Sequence, residues 1–193
     1  MYIAGTSTGA SARWATANGA FESGTTALTL CMWLRLPDYG AAVGSNSWFL
    51  MKPAHPTTWA APYFTAALYM NMVASGTPGI SFLVYLNGTT LVTASTTGLQ
   101  YAPLHEWFLL AGTFDGTLVK LYINSILVAA SGGSGTIVYP SGGNSSPWTI
   151  GEPAGLQNGS EWSSFYCGPV WIENVTRTQA QLLARYQAGA KRY

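Results

Sequence analysis

The chain has 193 residues, of which 48% are apolar and only 8% charged, with a formal net charge of +1. That length suits one all-β domain with a sizeable core. The near-neutral charge argues against nucleic acid, whose phosphates need a basic stripe to neutralise them. Soluble domains are about one-quarter charged on average, so Ser, Thr, Gly and Asn must supply the polar surface here, and little charge repulsion opposes packing against neighbours.

The opening residues, MYIAGTSTGASARW, lack a basic region followed by a continuous apolar stretch, so no signal peptide is expected. The most apolar run, Trp59–Val73, is interrupted by Pro62, Thr65 and Asn71. No run approaches the roughly 18 apolar residues of a membrane span. Strands are predicted at Arg13–Ala15, Gly19–Glu22, Ala27–Leu36, Ser47–Met51, Tyr63–Val73, Ile80–Tyr85 and Thr90–Ala94. Next come three strands in His105–Ser131, joined at Asp115-Gly116 and Asn124-Ser125, dipeptides typical of tight hairpin turns. Thr136–Tyr139, Trp148–Gly151 and Tyr166–Ile172 complete the set. The short, regular spacing with Gly and Pro between runs is that of a sandwich or barrel. A near-repeat, Val84-Tyr85-Leu86-Asn87-Gly88 against Leu121-Tyr122-Ile123-Asn124-Ser125, reads as shared turn chemistry. Ser125 stands where an Asn-Gly turn would carry glycine, so that turn is expected to hold about 1 kcal/mol of strain or to change type. A helix is predicted over 178–188. Thr178 and Gln181 form a capping box, Leu182, Leu183 and Tyr186 make one apolar stripe, and Gly189 is the expected stop.

Trp107, then Ala111-Gly112-Thr113-Phe114-Asp115-Gly116, then Leu121-Tyr122-Ile123-Asn124-Ser125-Ile126-Leu127-Val128-Ala129 resemble the signature of laminin G-like, concanavalin A-like lectin/glucanase domains. So do Leu28–Arg35, Pro147–Gly151 and the terminal helix, and the resemblance covers roughly residues 11 to 187. Gly168-Pro169 stands where that family has an acidic pair. The resemblance implies an all-β, concanavalin A-like jelly-roll β-sandwich of two antiparallel sheets with one short C-terminal helix, the whole 1–193 forming a single domain. The scaffold serves lectins, glycosidases, adhesion modules and virion parts alike, so it does not fix the function.

Site chemistry is sparse. Glycoside hydrolysis needs two carboxylates at a fixed separation, and laminarinase-like relatives carry theirs close together on one strand. Here Glu22, Asp38, Glu106, Asp115, Glu152, Glu161 and Glu173 are all dispersed. Only Glu152 and Glu161, flanking one loop, leave a hydrolase open, so no catalytic residue is assigned. Asp115 reads as a turn residue capping local amides, with a single loop calcium as the other reading. No metal site or cofactor is expected, because Cys31, Cys167, His55 and His105 match no ligand spacing. The two cysteines are read as buried free thiols. Trp33, Trp107 and Trp171 lie in apolar strands and read as core. The remaining candidates are aromatic. Trp59 and Tyr63 sit in a Pro- and Thr-rich stretch, and Trp162 sits in the polar loop GLQNGSEWSS beside Asn158 and Glu161. These five suit sugar stacking and hydroxyl bonding, or contacts between subunits, where Trp and Tyr are enriched.

The function expected first is a non-enzymatic virion structural protein, a bacteriophage capsid decoration or fibre-head subunit. It would assemble in a host cytoplasm and work by contact with other capsid subunits as a homo-oligomer. The alternative is a carbohydrate-binding module or adhesin that holds cell-surface polysaccharide through the loop aromatics.

Overall fold

The computed structural model describes residues 24–37, 46–54, 64–71, 78–139, 147–151 and 165–192, and the backbone alone at 2–3 and 14–15. The elements are β1 (Tyr2–Ile3), β2 (Trp14–Ala15), β3 (Leu28–Arg35), β4 (Asn46–Pro53), β5 (Phe64–Asn71), β6 (Gly79–Leu86), β7 (Thr90–Ser95), β8 (Trp107–Phe114), β9 (Leu118–Ile123), β10 (Ile126–Gly132), β11 (Thr149–Ile150), β12 (Phe165–Glu173) and α1 (Gln179–Ala190). They form two six-stranded sheets. The first runs β1-β12-β3-β8-β9-β10 and the second β2-β11-β4-β5-β6-β7, with every strand pair antiparallel. This is the jelly-roll sandwich that the resemblance implied.

Strand alternation sorts the side chains. On β3, Leu28, Leu30, Met32 and Leu34 enter the inter-sheet core with Phe82, Phe108, Leu110 and Phe114, while Cys31 and Trp33 point to the outer face. Helix α1 covers part of that outer face and builds a second cluster. A third cluster, including Trp48, Met51, Phe64 and Tyr69, lies on the outer face of the second sheet. β3, β4, β5 and β8 are therefore buried on both faces nearly throughout. Two-sided burial leaves few positions for charge in these four strands.

Two bulges re-aim side chains. In β4 the register with β5 jumps between Trp48 and Leu50, so Phe49 turns inward, 5.3 Å from Phe165 across the sandwich. In β12 the register with β3 jumps between Cys167 and Val170, and Gly168-Pro169 form the irregularity, the setting in which a strand accommodates proline. The hairpin tips match each other. Asn87-Gly88 have φ of 54° and 73°, and Asn124-Ser125 have 51° and 67°. In each, the Asn backbone N–H and side-chain Oδ1 grip one residue of a neighbouring segment. Asn87 donates to the Thr136 carbonyl at 2.8 Å and accepts the Thr136 N–H at 3.1 Å. Asn124 does the same with Leu109 at 2.8 and 2.9 Å. Ser125 therefore keeps the turn type and carries the strain of a left-handed conformation.

Two expectations are corrected. Thr136–Tyr139 is not a strand; buried Ile137 instead makes isolated bridges to Thr25 and Leu86. The helix runs to Ala190 with Lys191 as its C-cap, so Gly189 does not stop it. Trp33 is core as read, buried in the cluster under α1, and Trp107 and Trp171 are partly buried against that cluster. The strand predicted at Gly19–Glu22 lies outside the described residues.

Candidate functional site

Helix α1 begins as its sequence requires. The Thr178 hydroxyl accepts the Gln181 N–H at 3.3 Å, and Gln181 Oε1 accepts the Thr178 N–H at 2.9 Å. Those bonds satisfy two of the donors that a helix start leaves unpaired. Leu182 is then fully buried in the cluster that holds Cys31, Leu109, Ala111 and Tyr122, and Tyr186 stacks on Trp33 at 5.8 Å. One turn later the backbone itself meets the Trp33 ring. A Cβ on Gly189 would lie 2.5 Å from Trp33 Cζ2, so only glycine allows this approach.

Where the helix leaves the sheet, an open cleft of about 190 Å³ remains, lined by Trp33, Pro169, Trp171, Arg185, Gly189 and Arg192. The β12 bulge brings Pro169 to its edge. Trp171 forms a wall, with the Arg185 guanidinium 4.6 Å from its ring centre, a cation–π pairing. Arg185 also donates to Glu173 at 3.1 and 3.3 Å, and Arg177 grips the same carboxylate with Nε at 3.2 Å to each oxygen. Burial works to raise the Glu173 pKa, but the hydrogen bonds from Arg177 and Arg185 outweigh it and hold the pKa below the usual value. Glu173 thus pins the helix and its entering loop to β12. At the other end of this face, Arg35 lies 5.1 Å from the Tyr166 ring centre and donates from Nε to the His105 carbonyl at 3.0 Å.

Five of the chain's eight Lys and Arg residues therefore sit around this face: Arg35, Arg177, Arg185, Lys191 and Arg192. Glu173 is the acid bonded to Arg177 and Arg185, and the Lys120–Asp115 pair lies on the outer face of β9 with Tyr122. The outer face of the second sheet is different. Trp48 lies 4.8 Å from Tyr69 and 4.3 Å from Phe64 between ring centres, and all three rings are buried. Ser81 and Ser95 hydroxyls bond each other beside them at 2.8 Å. That aromatic layer is closed packing, whereas the cleft beside α1 is open.

The five residues singled out from sequence, Trp59, Tyr63, Asn158, Glu161 and Trp162, lie outside the described residues, as do Glu22, Asp38, Glu152 and His55. Asp115 is a turn residue. Its Oδ1 accepts from the Thr117 N–H at 3.1 Å, the Thr117 hydroxyl at 2.9 Å and the Leu118 N–H at 2.8 Å, and Oδ2 pairs with Lys120 at 2.9 Å. Both oxygens are engaged by donors and one by a cation, the arrangement of a turn-capping carboxylate. Among the described residues no three His, Cys, Asp or Glu side chains converge to hold a metal. Cys31 and Cys167 are both free and buried. Burial pushes the Cys31 thiol up to about 12, with Arg185 opposing, and the Cys167 thiol to about 11.

The cleft went unread in the sequence, although its signal was present. Trp33 and Arg35 share the phase of Cys31, opposite the Leu and Met positions of β3. Arg185 lies in the helix and Arg192 just past its C-cap.

A family model for the concanavalin A-like lectin/glucanases superfamily matches residues 7–182. The chain belongs to this superfamily. Among solved structures, the native heptameric SAP-like pentraxin from Limulus polyphemus is similar with a TM-score of 0.59 at 13% identity, covering 89% of this chain and 72% of that one. The botulinum neurotoxin serotype C1 binding domain gives 0.66 at 11%, covering 96% of this chain and 43% of that one. The receptor binding domain of the botulinum neurotoxin C/D mosaic serotype gives 0.56 at 9%, covering 84% and 36%. The chain thus spans less than half the length of either toxin domain, and at these identities the likeness is one of fold. A search of curated proteins finds no match to the chain. No helix among the described residues is long and apolar enough to cross a membrane.

Proposed function

We propose that this superfamily member is a non-enzymatic recognition domain that holds a polysaccharide by contact. The observation that carries the reading is the open cleft beside α1, where two tryptophans and two arginines line one concavity. Ligand sites combine apolar walls with a few directed polar groups in this way. The loop residues Trp59, Tyr63, Asn158, Glu161 and Trp162 extend the proposal as further sugar contacts. The test is a panel of immobilised polysaccharides probed with the intact chain, with product analysis of each bound saccharide. Retention with the saccharide unshortened supports recognition. Shortened product establishes a hydrolase instead.

A second reading, a capsid decoration or fibre-head subunit, is favoured by a different observation. Leu91 on β7, Ile126 and Leu127 on β10, and Val138 are 45–59% exposed apolar side chains. β7 and β10 are the edge strands of the two sheets and approach each other across the sandwich. An uncharged edge of this kind suits burial against other subunits, which takes roughly 1,000 Å² for a stable interface. A chain that remains monomeric and never co-sediments with virus particles rules this reading out.

A further inference from the structure

We propose that the cleft between α1 and β12 selects an acidic saccharide, taking a terminal sugar that bears a carboxylate. This rests on the recognition reading and goes beyond it by naming the ligand class and the residues that choose it.

Size limits the occupant. The cleft volume of about 190 Å³ falls below the roughly 300–1,000 Å³ of sites that enclose drug-sized ligands. It suits one ring at a chain end, not a buried oligomer. The apolar side is offered by Pro169 and the half-buried Trp171, which can receive the C–H side of a sugar ring, while Trp33, 2% exposed, lies beneath them as floor. Charge then selects among sugars. Glu173 offsets only one of its two partners, Arg177 and Arg185, so that trio carries a net positive charge. Lys191 and Arg192 add two more cations at the helix end.

Arg192 is the decisive group. Its backbone N–H is spent on the Gly189 carbonyl at 2.8 Å. Arg192 lines the cleft and is exposed, and its guanidinium has no partner among the described residues. An unpaired planar fork at the mouth of an apolar cleft matches a planar carboxylate, which it can hold with two parallel bonds. A neutral hexose leaves this field unused. Arg185 does not compete for the role, because Glu173 and the Trp171 ring already engage it; it fixes the wall and contributes positive potential.

The experiment titrates the full-length chain with a galacturonic acid oligomer while following tryptophan fluorescence, since Trp33 and Trp171 line the cleft. Parallel titrations use the methyl-esterified oligomer, dextran sulfate and neutral dextran, each repeated with Arg192→Gln. That position is exposed and beyond the last helical residue, so the variant is expected to fold, as circular dichroism would verify. The proposal predicts saturable binding of the free acid. Arg192→Gln should weaken it by about 10-fold or more, as expected for losing a charge-assisted hydrogen bond, and esterification should weaken it comparably. Absence of galacturonate binding overturns the proposal, as does binding that Arg192→Gln leaves unchanged. Binding of dextran sulfate alone, sensitive to Arg192→Gln, overturns the choice of carboxylate. If neutral dextran or another neutral saccharide binds equally to both proteins, this site falls and the recognition reading stands. If no saccharide binds at all, both fall.

Discussion

Gly112 lies directly against a ring of the opposite sheet, and replacing it with alanine tests the packing directly. It lies on β8 with its missing side chain aimed at Phe82 of the opposite sheet. An alanine Cβ would lie 2.3, 2.4 and 2.7 Å from three atoms of that ring. Ordinary contact begins near 3.4 Å, so the ring would have to retreat by about 1 Å. Phe82 has no exposed surface and packs among Leu68, Leu110 and Phe114 in the core. An interior packed to crystal-like density offers it nowhere to go. Overpacking of this kind costs about 1–3 kcal/mol. For a domain of this size that lowers Tm by about 2–12 °C. Phe82→Leu removes the obstructing ring at its own cost, of order 1 kcal/mol or more, through the cavity it leaves. Because the two changes relieve each other, urea unfolding of both single variants and the double should show a favourable coupling of about 0.5–3 kcal/mol. Additive destabilisation, or a Gly112→Ala protein as stable as the parent, refutes the reasoning.

The turn at Ser125 should respond oppositely. Ser125→Gly removes about 1–2 kcal/mol of left-handed strain and returns about 0.4–1 kcal/mol as unfolded-state entropy, so a net gain of about 0.5 kcal/mol in urea unfolding is expected and a loss contradicts it. Acid should weaken the fold through Asp115 and Glu173. Burial opposes but hydrogen bonds from Lys120, Thr117 and Leu118 prevail at Asp115, as those from Arg177 and Arg185 do at Glu173, and both carboxylates are held below their ordinary values. Their contribution is fully present above the unfolded values near about 4 and is lost as pH falls through the lowered native ones. Tm should therefore decline progressively below about pH 5, more steeply in the parent than in Asp115→Asn or Glu173→Gln. Equal slopes in parent and variants contradict the assignment. Finally, a thiol-specific reagent at pH 8 should label neither cysteine of the native chain and both after denaturation without reductant. Fewer than two thiols then would mean that Cys31 and Cys167 are not both free.

What the sequence revealed depended on how local the chemistry was. Asn87-Gly88, Asn124-Ser125 and Asp115-Gly116 define turns within four residues, and the hairpins form where those residues stand. Thr178 and Gln181 likewise announce the helix start, because both halves of the capping box lie in one turn. The helix end was misread since Gly189 answers to Trp33, 156 residues away in the chain. The face that the tryptophans take was hidden for a related reason. With both faces of β3 and β8 buried, apolar character no longer tells inner from outer face, and only the phase shared with Cys31 and Arg35 reveals that Trp33 looks toward α1. The bulges at Phe49 and at Gly168-Pro169 shift that phase, and nothing in a period-two pattern locates them in advance. The arginines escaped notice as a group because Arg35, Arg177, Arg185 and Arg192 come from separate segments that only the sheet and helix bring to one face.

The claim that this domain recognises saccharide without cleaving it is tested most directly by incubating the intact chain with a polysaccharide panel. Bound material is then eluted and its length compared with the input by mass spectrometry. The account predicts that at least one saccharide is retained and recovered at its original length. Shortened product, or no retention of any saccharide, would contradict it.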